Sequence, residues 1–303
     1  MHVKILGSAA GGGFPQWNCA CRNCRLVRAG NFPGKARSQT QLALSPDGAS
    51  WFLLGASPDL RSQIEGCVEL QPRDEPRNSP ICGVVLTSAE LDQALGLLLL
   101  REFQPFSVYA TDSVIRILRD NSMYSMLDRA PVHWHNIRPG QDFQLRIPGG
   151  NSVEMNCVPL TVSSRYPGYV RNAHHLVPEE AVTGLRVTSS GKTLAYFPSC
   201  AKVTGPVREV LEHADLLLFD GTFYRDDELQ QILGPGVRCQ EMDHLPVSGK
   251  NGSLSELAGI SAKRRLYIHI NNTNPMLNES SVEHRAVRDA GWELAEDGWQ
   301  SVL

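Results

Sequence analysis

The sequence predicts an α/β protein in four layers: two β-rich sheets stacked face to face, with helices covering both outer sides. Three observations carry this expectation. Short apolar runs with turn-rich borders alternate with helix-like segments from end to end, and no low-complexity linker divides the chain. The 303 residues, 42% hydrophobic and 20% charged, are enough for one large core. A single domain over residues 1–303 is therefore expected, with a cysteine-bearing loop near its N-terminus.

In chain order, strands are expected at Val3–Leu6, Gln41–Leu44, Trp51–Leu54 and Ile81–Leu86. A helix is expected from Glu90 to Arg101. Further strands follow at Val108–Ala110, Val153–Leu160, Gly184–Thr188, Leu194–Phe197, Leu216–Phe219 and Leu266–Ile270. Helices are expected at Val207–His213, Ser253–Ile260 and Ser280–Ala290. The last two open with Ser-x-x-Glu, the pattern of a capping box, and Gly291 stands where a helix C-cap belongs. Segment 163–180 lacks periodicity and is rich in Pro, Gly and His, so it reads as a long functional loop.

A formal charge of -3 and scattered basic residues give no reason to expect a nucleic-acid partner. The N-terminus enters a strand at once and shows no secretion signal. The longest apolar run, Leu97–Leu100, is too short to span a bilayer. A cytoplasmic protein without a membrane partner is expected.

Of the eight cysteines, three are clustered as Cys19-x-Cys21-x-x-Cys24. In a reducing compartment this spacing favours a structural zinc over disulfides, because closely spaced thiolates can wrap one tetrahedral ion. A fourth ligand must come from elsewhere; Asn272, Asn274 and several histidines are candidates. The glycine run Gly7-Ser-Ala-Ala-Gly-Gly-Gly13 follows a strand, but Gln16 breaks a dinucleotide-binding pattern and no P-loop lysine is present. It reads as a tight backbone turn near a site.

The segment Leu86-Thr-Ser-Ala-Glu-Leu-Asp-Gln-Ala-Leu-Gly96 resembles the His-x-His-x-Asp-His-x-x-Gly position of metallo-β-lactamase-fold proteins. The pattern falls on Ser88, Glu90, Asp92, Gln93 and Gly96, of which Asp92 and Gly96 match. Glu90 and Gln93 still offer oxygen ligands, and oxygen-rich sites favour harder or more adaptable metals. Asp220 ends an apolar strand. Glu241-Met-Asp-His-Leu-Pro-Val-Ser248 is similar to the His-and-Ser segment of the tRNA-processing and phosphodiesterase branches. His269 stands where the fold's closing strand carries a ligand. The histidine expected near Pro159–Val162 and the bridging acid expected near Tyr196–Ser199 are missing.

The run Gly11-Gly-Gly-Phe-Pro-Gln-Trp-Asn-Cys19, with its following cysteines, resembles the opening of the coenzyme PQQ synthesis protein B family. Arg165-Tyr-Pro-Gly, Asp220-Gly-Thr-Phe, Met242-Asp-His-Leu-Pro-Val-Ser-Gly249 and His269-Ile-Asn-Asn-Thr-Asn-Pro extend the resemblance along the chain. It implies a metallo-β-lactamase-like four-layer sandwich and a role in making pyrroloquinoline quinone. Its substrate would be the PQQ precursor peptide or its processed Glu-Tyr product, hydroxylated on the tyrosine by an enzyme using iron. It also implies an active-site divalent metal, Fe2+ in function and Zn2+, Mn2+ or Mg2+ as isolated alternatives. The ion would be held by some of Glu90, Asp92, Gln93, Asp220 and His269. His244 and Ser248 would move protons or orient substrate, with Asp92 and His269 at the reacting centre, and Arg165 and Arg171 would meet substrate carboxylates. A non-catalytic carrier, a phosphodiesterase-like hydrolase and a homodimer are the other expectations.

Overall fold

Aliphatic and aromatic runs bounded by Gly, Pro and Ser become strands where expected. The computed structural model describes residues 1–73, 75–102, 104–129, 131–150 and 152–303. Strands β1 (His2–Gly7), β2 (Gln41–Ser45), β3 (Trp51–Leu54), β4 (Ile81–Val85), β5 (Phe106–Ala110) and β6 (Val132–Asn136) build the first sheet in that order. The second holds β7 (Phe143–Arg146), β8 (Ser152–Ser163), β9 (Val182–Ser189), β10 (Lys192–Phe197), β11 (Leu216–Asp220), β12 (Arg264–Ile268) and β13 (Glu293–Leu294). A last strand, β14 (Gln300–Val302), returns to pair antiparallel with β1 and completes the first sheet.

Both sheets repeat one plan. β1 to β3 form an antiparallel meander, then β3 to β6 run parallel; β7 to β10 and then β10 to β13 do the same. The central parallel strands β4 and β11 are buried on both faces, which is why Ile81–Val85 and Leu216–Phe219 read as continuous apolar runs rather than alternating ones.

Three apolar clusters account for the four layers. The inner faces of both sheets meet through Ile5, Leu44, Phe52, Leu54, Val187, Leu218 and Ile268. The outer face of the first sheet packs Leu53, Val84 and Val108 against Leu60, Val114 and Leu118 of covering helices. The second sheet packs Phe197, Leu217 and Phe219 against Val207, Leu211 and Val287. The covering helices lie at Leu60–Glu65, Asp112–Arg119, Gly205–Glu212 and Val282–Asp289. Among the described residues no helix is long and apolar enough to cross a membrane.

Several elements differ from expectation. The helix expected over Glu90–Arg101 is α-helical only at Leu91–Ala94 and continues as a tighter 3₁₀ run to Leu100. The Gln93 carbonyl is taken by Ala56 N–H at 2.6 Å and Gly96 N–H goes to the Ala56 carbonyl at 2.8 Å, so the regular i to i+4 ladder is broken. A Cβ at Gly96 would lie 2.2 Å from the Ser57 carbonyl, so only glycine allows this approach.

The capping box at Ser253 does not form: the helix is only Ser253–Glu256, and the Ser253 hydroxyl pairs with the Tyr267 hydroxyl at 2.8 Å instead. The last helix is capped one residue later than expected, at Ser281, which accepts from His284 N–H at 3.0 Å. Gly291 is left-handed, φ +76°, as a C-cap glycine should be. The closing strand ends at Ile268, and His269 turns into the left-handed region at φ +59°.

Candidate functional site

The C-terminal ends of parallel strands from both sheets converge on one cavity of about 650 Å³, the usual location of ligand sites in such sheets. The turn after β4 supplies Glu90, Asp92 and Gln93; β11 ends in Asp220, and the turn after β12 supplies His269. His244 comes from the segment after Cys239, and the loop after β8 contributes Arg165, Tyr166 and Tyr169 to the walls. Among the described residues, a cavity of about 600 Å³ between β8, β9 and the helix Gly205–Glu212 brings together no comparable group of ligating side chains.

Asp220 is fully buried and organises the floor. Its Oδ1 accepts from Thr222 N–H at 3.0 Å and from the Thr222 hydroxyl at 2.7 Å. Its Oδ2 accepts from Cys200 N–H at 2.9 Å and from His244 Nδ1–H at 2.8 Å. A carboxylate has about four lone-pair sites, so this one is saturated. Asp220, expected as a ligand, is thus placed to orient His244.

The Thr222 hydroxyl, having given its proton to Asp220, accepts from His269 Nδ1–H at 2.9 Å. That ties Nδ1–H to the floor and turns Nε2 to the cavity, where it is hydrogen-bonded to Asp92 Oδ2 at 2.8 Å and would be the nitrogen that meets an ion. The two imidazoles lie nearly parallel, centroids 5.5 Å apart.

Electrostatics follow from this packing. Burial opposes ionisation of Asp92 and Asp220, but the imidazoles of His269 and His244 outweigh it and hold both carboxyls below their ordinary range. Burial works against a charged His244, yet Asp220 beside it pushes its pKa up. Glu90 is pushed up, by desolvation first and by Asp92 second. Glu90, Asp92, His244 and His269 line one cavity and form a donor set that fits a divalent cation, with the saturated Asp220 behind them. Asp220, His244 and His269 place one potential ligand atom each within 4.8 Å of one another.

The other expected residues divide. Glu90, Asp92, Gln93 and Arg165 line the cavity. Gln93 is deeply buried with Oε1 3.5 Å from the Thr87 hydroxyl. Arg165 reaches the Glu241 carbonyl and so pins its loop across the mouth. Ser248 is not at the cavity: its hydroxyl donates to the Tyr224 carbonyl at 2.6 Å, which makes it a loop tie. Arg171 is exposed and lies outside the lining. Thr222 was not anticipated. The signal for it was Asp-Gly-Thr at a strand end, where a hydroxyl two residues on can fold back onto the carboxylate.

The cysteine loop forms a second centre. The sulfurs of Cys19, Cys21 and Cys24 lie within 4.8 Å of one another. The Asn272 amide caps them, its Nδ2 at 3.2, 3.7 and 3.3 Å from the three sulfurs. Asn274 is otherwise engaged: it donates to the Gly221 carbonyl at 2.9 Å and accepts from Met276 N–H at 3.0 Å. Among the described residues no histidine or carboxylate joins the cluster. Burial pushes the Cys24 thiol up to about 11, so an ion bound there must displace its proton.

The segment 269–274 therefore serves both centres, and Glu228 holds it from behind. Buried Glu228 accepts from the Thr273 hydroxyl and from Tyr224 N–H, and desolvation raises its pKa from 4.5 to about 7. A raised carboxyl contributes stability at low pH that is lost as the pH rises through 7. Glu228→Gln stays neutral, keeps the Tyr224 N–H bond on its oxygen and turns its NH2 to donate to the Thr273 oxygen. It is expected to be about 2–3 kcal/mol more stable than the parent at pH 8 and equal to it near pH 4, read by urea denaturation. Equal stability at both pH values would rule out the neutral acid.

Comparison with known proteins agrees with this architecture. A model of the β-lactamase superfamily domain matches residues 50–270. Coenzyme PQQ synthesis protein B of Methylorubrum extorquens is 41% identical over 301 residues, 98% of each chain. The protein of that name from Gluconacetobacter diazotrophicus is 41% identical over 302 residues, again 98% of each. Among solved structures, zinc-bound PqqB from Methylobacterium extorquens matches with a TM-score of 0.92 at 38% identity over 100% of both chains. A diphosphatase of the PhnP family shares the fold, with a TM-score of 0.68 at 20% identity over 99% of this chain and 96% of that one. Full-length identity at this level, on a metallo-β-lactamase fold, means that the chain belongs to the coenzyme PQQ synthesis protein B family.

Proposed function

We propose that this chain acts in pyrroloquinoline quinone synthesis as a metal-dependent hydroxylase of the tyrosine moiety of the precursor peptide or its Glu-Tyr derivative. The observation that carries the reading is the composition of the cavity. The His269 imidazole, anchored through Nδ1, and two acids, Glu90 and Asp92, line the cavity, where a hydrolase of this fold would present a histidine-rich pair of ions. Mixed histidine and carboxylate donors with open positions suit non-haem Fe(II), and a bound Fe(II) would supply the redox chemistry of oxygen insertion. Glu90, Asp92 and His269 Nε2 would hold it.

The remaining work falls to the chain's own groups. Arg165 at the mouth would pair with a substrate carboxylate. Tyr166 and Tyr169, both lining the cavity, would offer aromatic rings against which a phenol ring can lie. His244, oriented by Asp220 and with its pKa raised, would hold and move a proton over the reacting ring. In the thiolate centre, zinc would be held by Cys19, Cys21, Cys24 and the Asn272 amide turned to present its oxygen.

The test is anaerobic loading with Fe(II), then addition of a tyrosine-containing precursor fragment and oxygen. A mass gain of one or two oxygen atoms, absent in Asp92→Ala/His269→Ala, is the expected result. No gain, with one firmly held zinc per chain and no second ion, would replace this reading with a carrier of the quinone or its precursor.

A further inference from the structure

The thiolate centre and the cavity are joined by one short segment, and its backbone is under strain. His269 sits at φ +59°, a conformation that costs a non-glycine residue about 1–3 kcal/mol and persists only where its surroundings impose it. Upstream, β12 fixes the chain through its ladder. Downstream, Ile270 is clamped on both sides, by its N–H to the Ser8 carbonyl and by its carbonyl to Ala10 N–H, each at 3.0 Å. The next hold comes from the cysteine loop. Asn23, between Cys21 and Cys24, donates its amide to the Asn272 carbonyl at 3.1 Å and to the Asn274 carbonyl at 3.3 Å. Asn272 in turn points its own amide at all three sulfurs.

We propose that Asn23 is a positioning residue for His269, and that the ion in the thiolate centre sets, through Asn23 and Asn272, how tightly the cavity holds its own metal. The inference rests on the reading of Cys19, Cys21 and Cys24 as an ion site. An ion there fixes the cysteines flanking Asn23 and the Asn272 side chain together, so the 271–274 turn has one arrangement. Without it, the three thiol groups share only the two protons of one amide, and the cysteine loop's hold on the turn loosens. His269 can then relax toward the extended region, carrying Nε2 away from Asp92. Groups that orient a ligand in this way typically change metal affinity by about 10- to 100-fold.

The experiment uses the full chain with its thiolate centre filled with zinc and its histidines labelled with 15N. Ring correlations of His269, assigned by their loss in His269→Asn, are compared in the parent, in Asn23→Ala and in parent stripped of the thiolate-site zinc. Co(II) affinity of the cavity is titrated in parallel. The parent is expected to show one sharp His269 ring with Nδ1 protonated. Asn23→Ala is expected to retain its zinc, broaden or split that ring, and bind Co(II) about tenfold more weakly; the stripped parent should show the same ring change. A His269 ring that stays sharp in both, with Co(II) affinity unchanged, overturns the proposal. A parent that binds no Co(II) in the cavity, yet shows the ring response, keeps the latch and overturns the metal-dependent hydroxylase instead.

Discussion

Asp220→Asn is expected to lower Tm by on the order of 10 °C and to cut turnover by on the order of 10³-fold, although the substitution leaves the shape of the side chain intact. The reason lies in what Asp220 receives. All four of its hydrogen bonds come from donors, two on each oxygen. An asparagine can offer an oxygen to only one pair. Its NH2 must then face either Cys200 N–H with His244 Nδ1–H, or Thr222 N–H with the Thr222 hydroxyl. Each buried donor left without an acceptor costs about 1–3 kcal/mol, so a loss of roughly 2–5 kcal/mol follows. Turnover falls for a separate reason: His244 loses the partner that fixes Nδ1–H and raises its pKa. Thermal unfolding and the oxygen-insertion assay read the two effects. An Asn variant within about two degrees of the parent would mean that the buried carboxylate is protonated, and the assigned orientation of His244 would fall with it.

The same residue shows how far the sequence could be read. An acid closing an apolar strand marked Asp220 as part of a site, because strands buried on both faces are legible as unbroken apolar runs and sites gather at their ends. Its role was not legible. Ligand and orienting partner differ only in which donors surround the two oxygens, and those donors arrive from Cys200, Thr222 and His244, 20, 2 and 24 residues away. The edge strand Val132–Asn136 was missed for a related reason, since Val-His-Trp-His-Asn is half exposed and lacks the apolar run of its neighbours. The short helices Leu60–Glu65 and Glu228–Leu233 offer too few turns for a 3.6-residue period to emerge. Ser248 was drawn into the site by its resemblance to a longer motif, of which the structure places His244 at the cavity and the serine on a loop tie.

Cys24→Ser is expected to remove one zinc per chain and to lower stability by several kcal/mol, on the order of the 2–5 kcal/mol seen when a small domain loses a covalent staple. Cys24 is fully buried, lies in the first turn of the helix Arg22–Arg28, and packs in the cluster with Phe14, Leu277 and Val287. A serine there is a poor zinc ligand and buries a hydroxyl against apolar neighbours, so both the ion and the packing are lost together. Cys67→Ser is the control. Cys67 is buried to a similar degree but stands apart from the other cysteines, so it should lose some stability and no zinc. Chelation separates the two centres further. Thiolates hold zinc more firmly than an open set of imidazole and carboxylate oxygens. A moderate chelator should therefore strip the cavity first and leave zinc bound to the cysteines, whereas Cys24→Ser should hold no zinc that resists the chelator. Zinc that leaves both centres in one step, or stays in the variant, would mean that the three sulfurs do not form the tighter site.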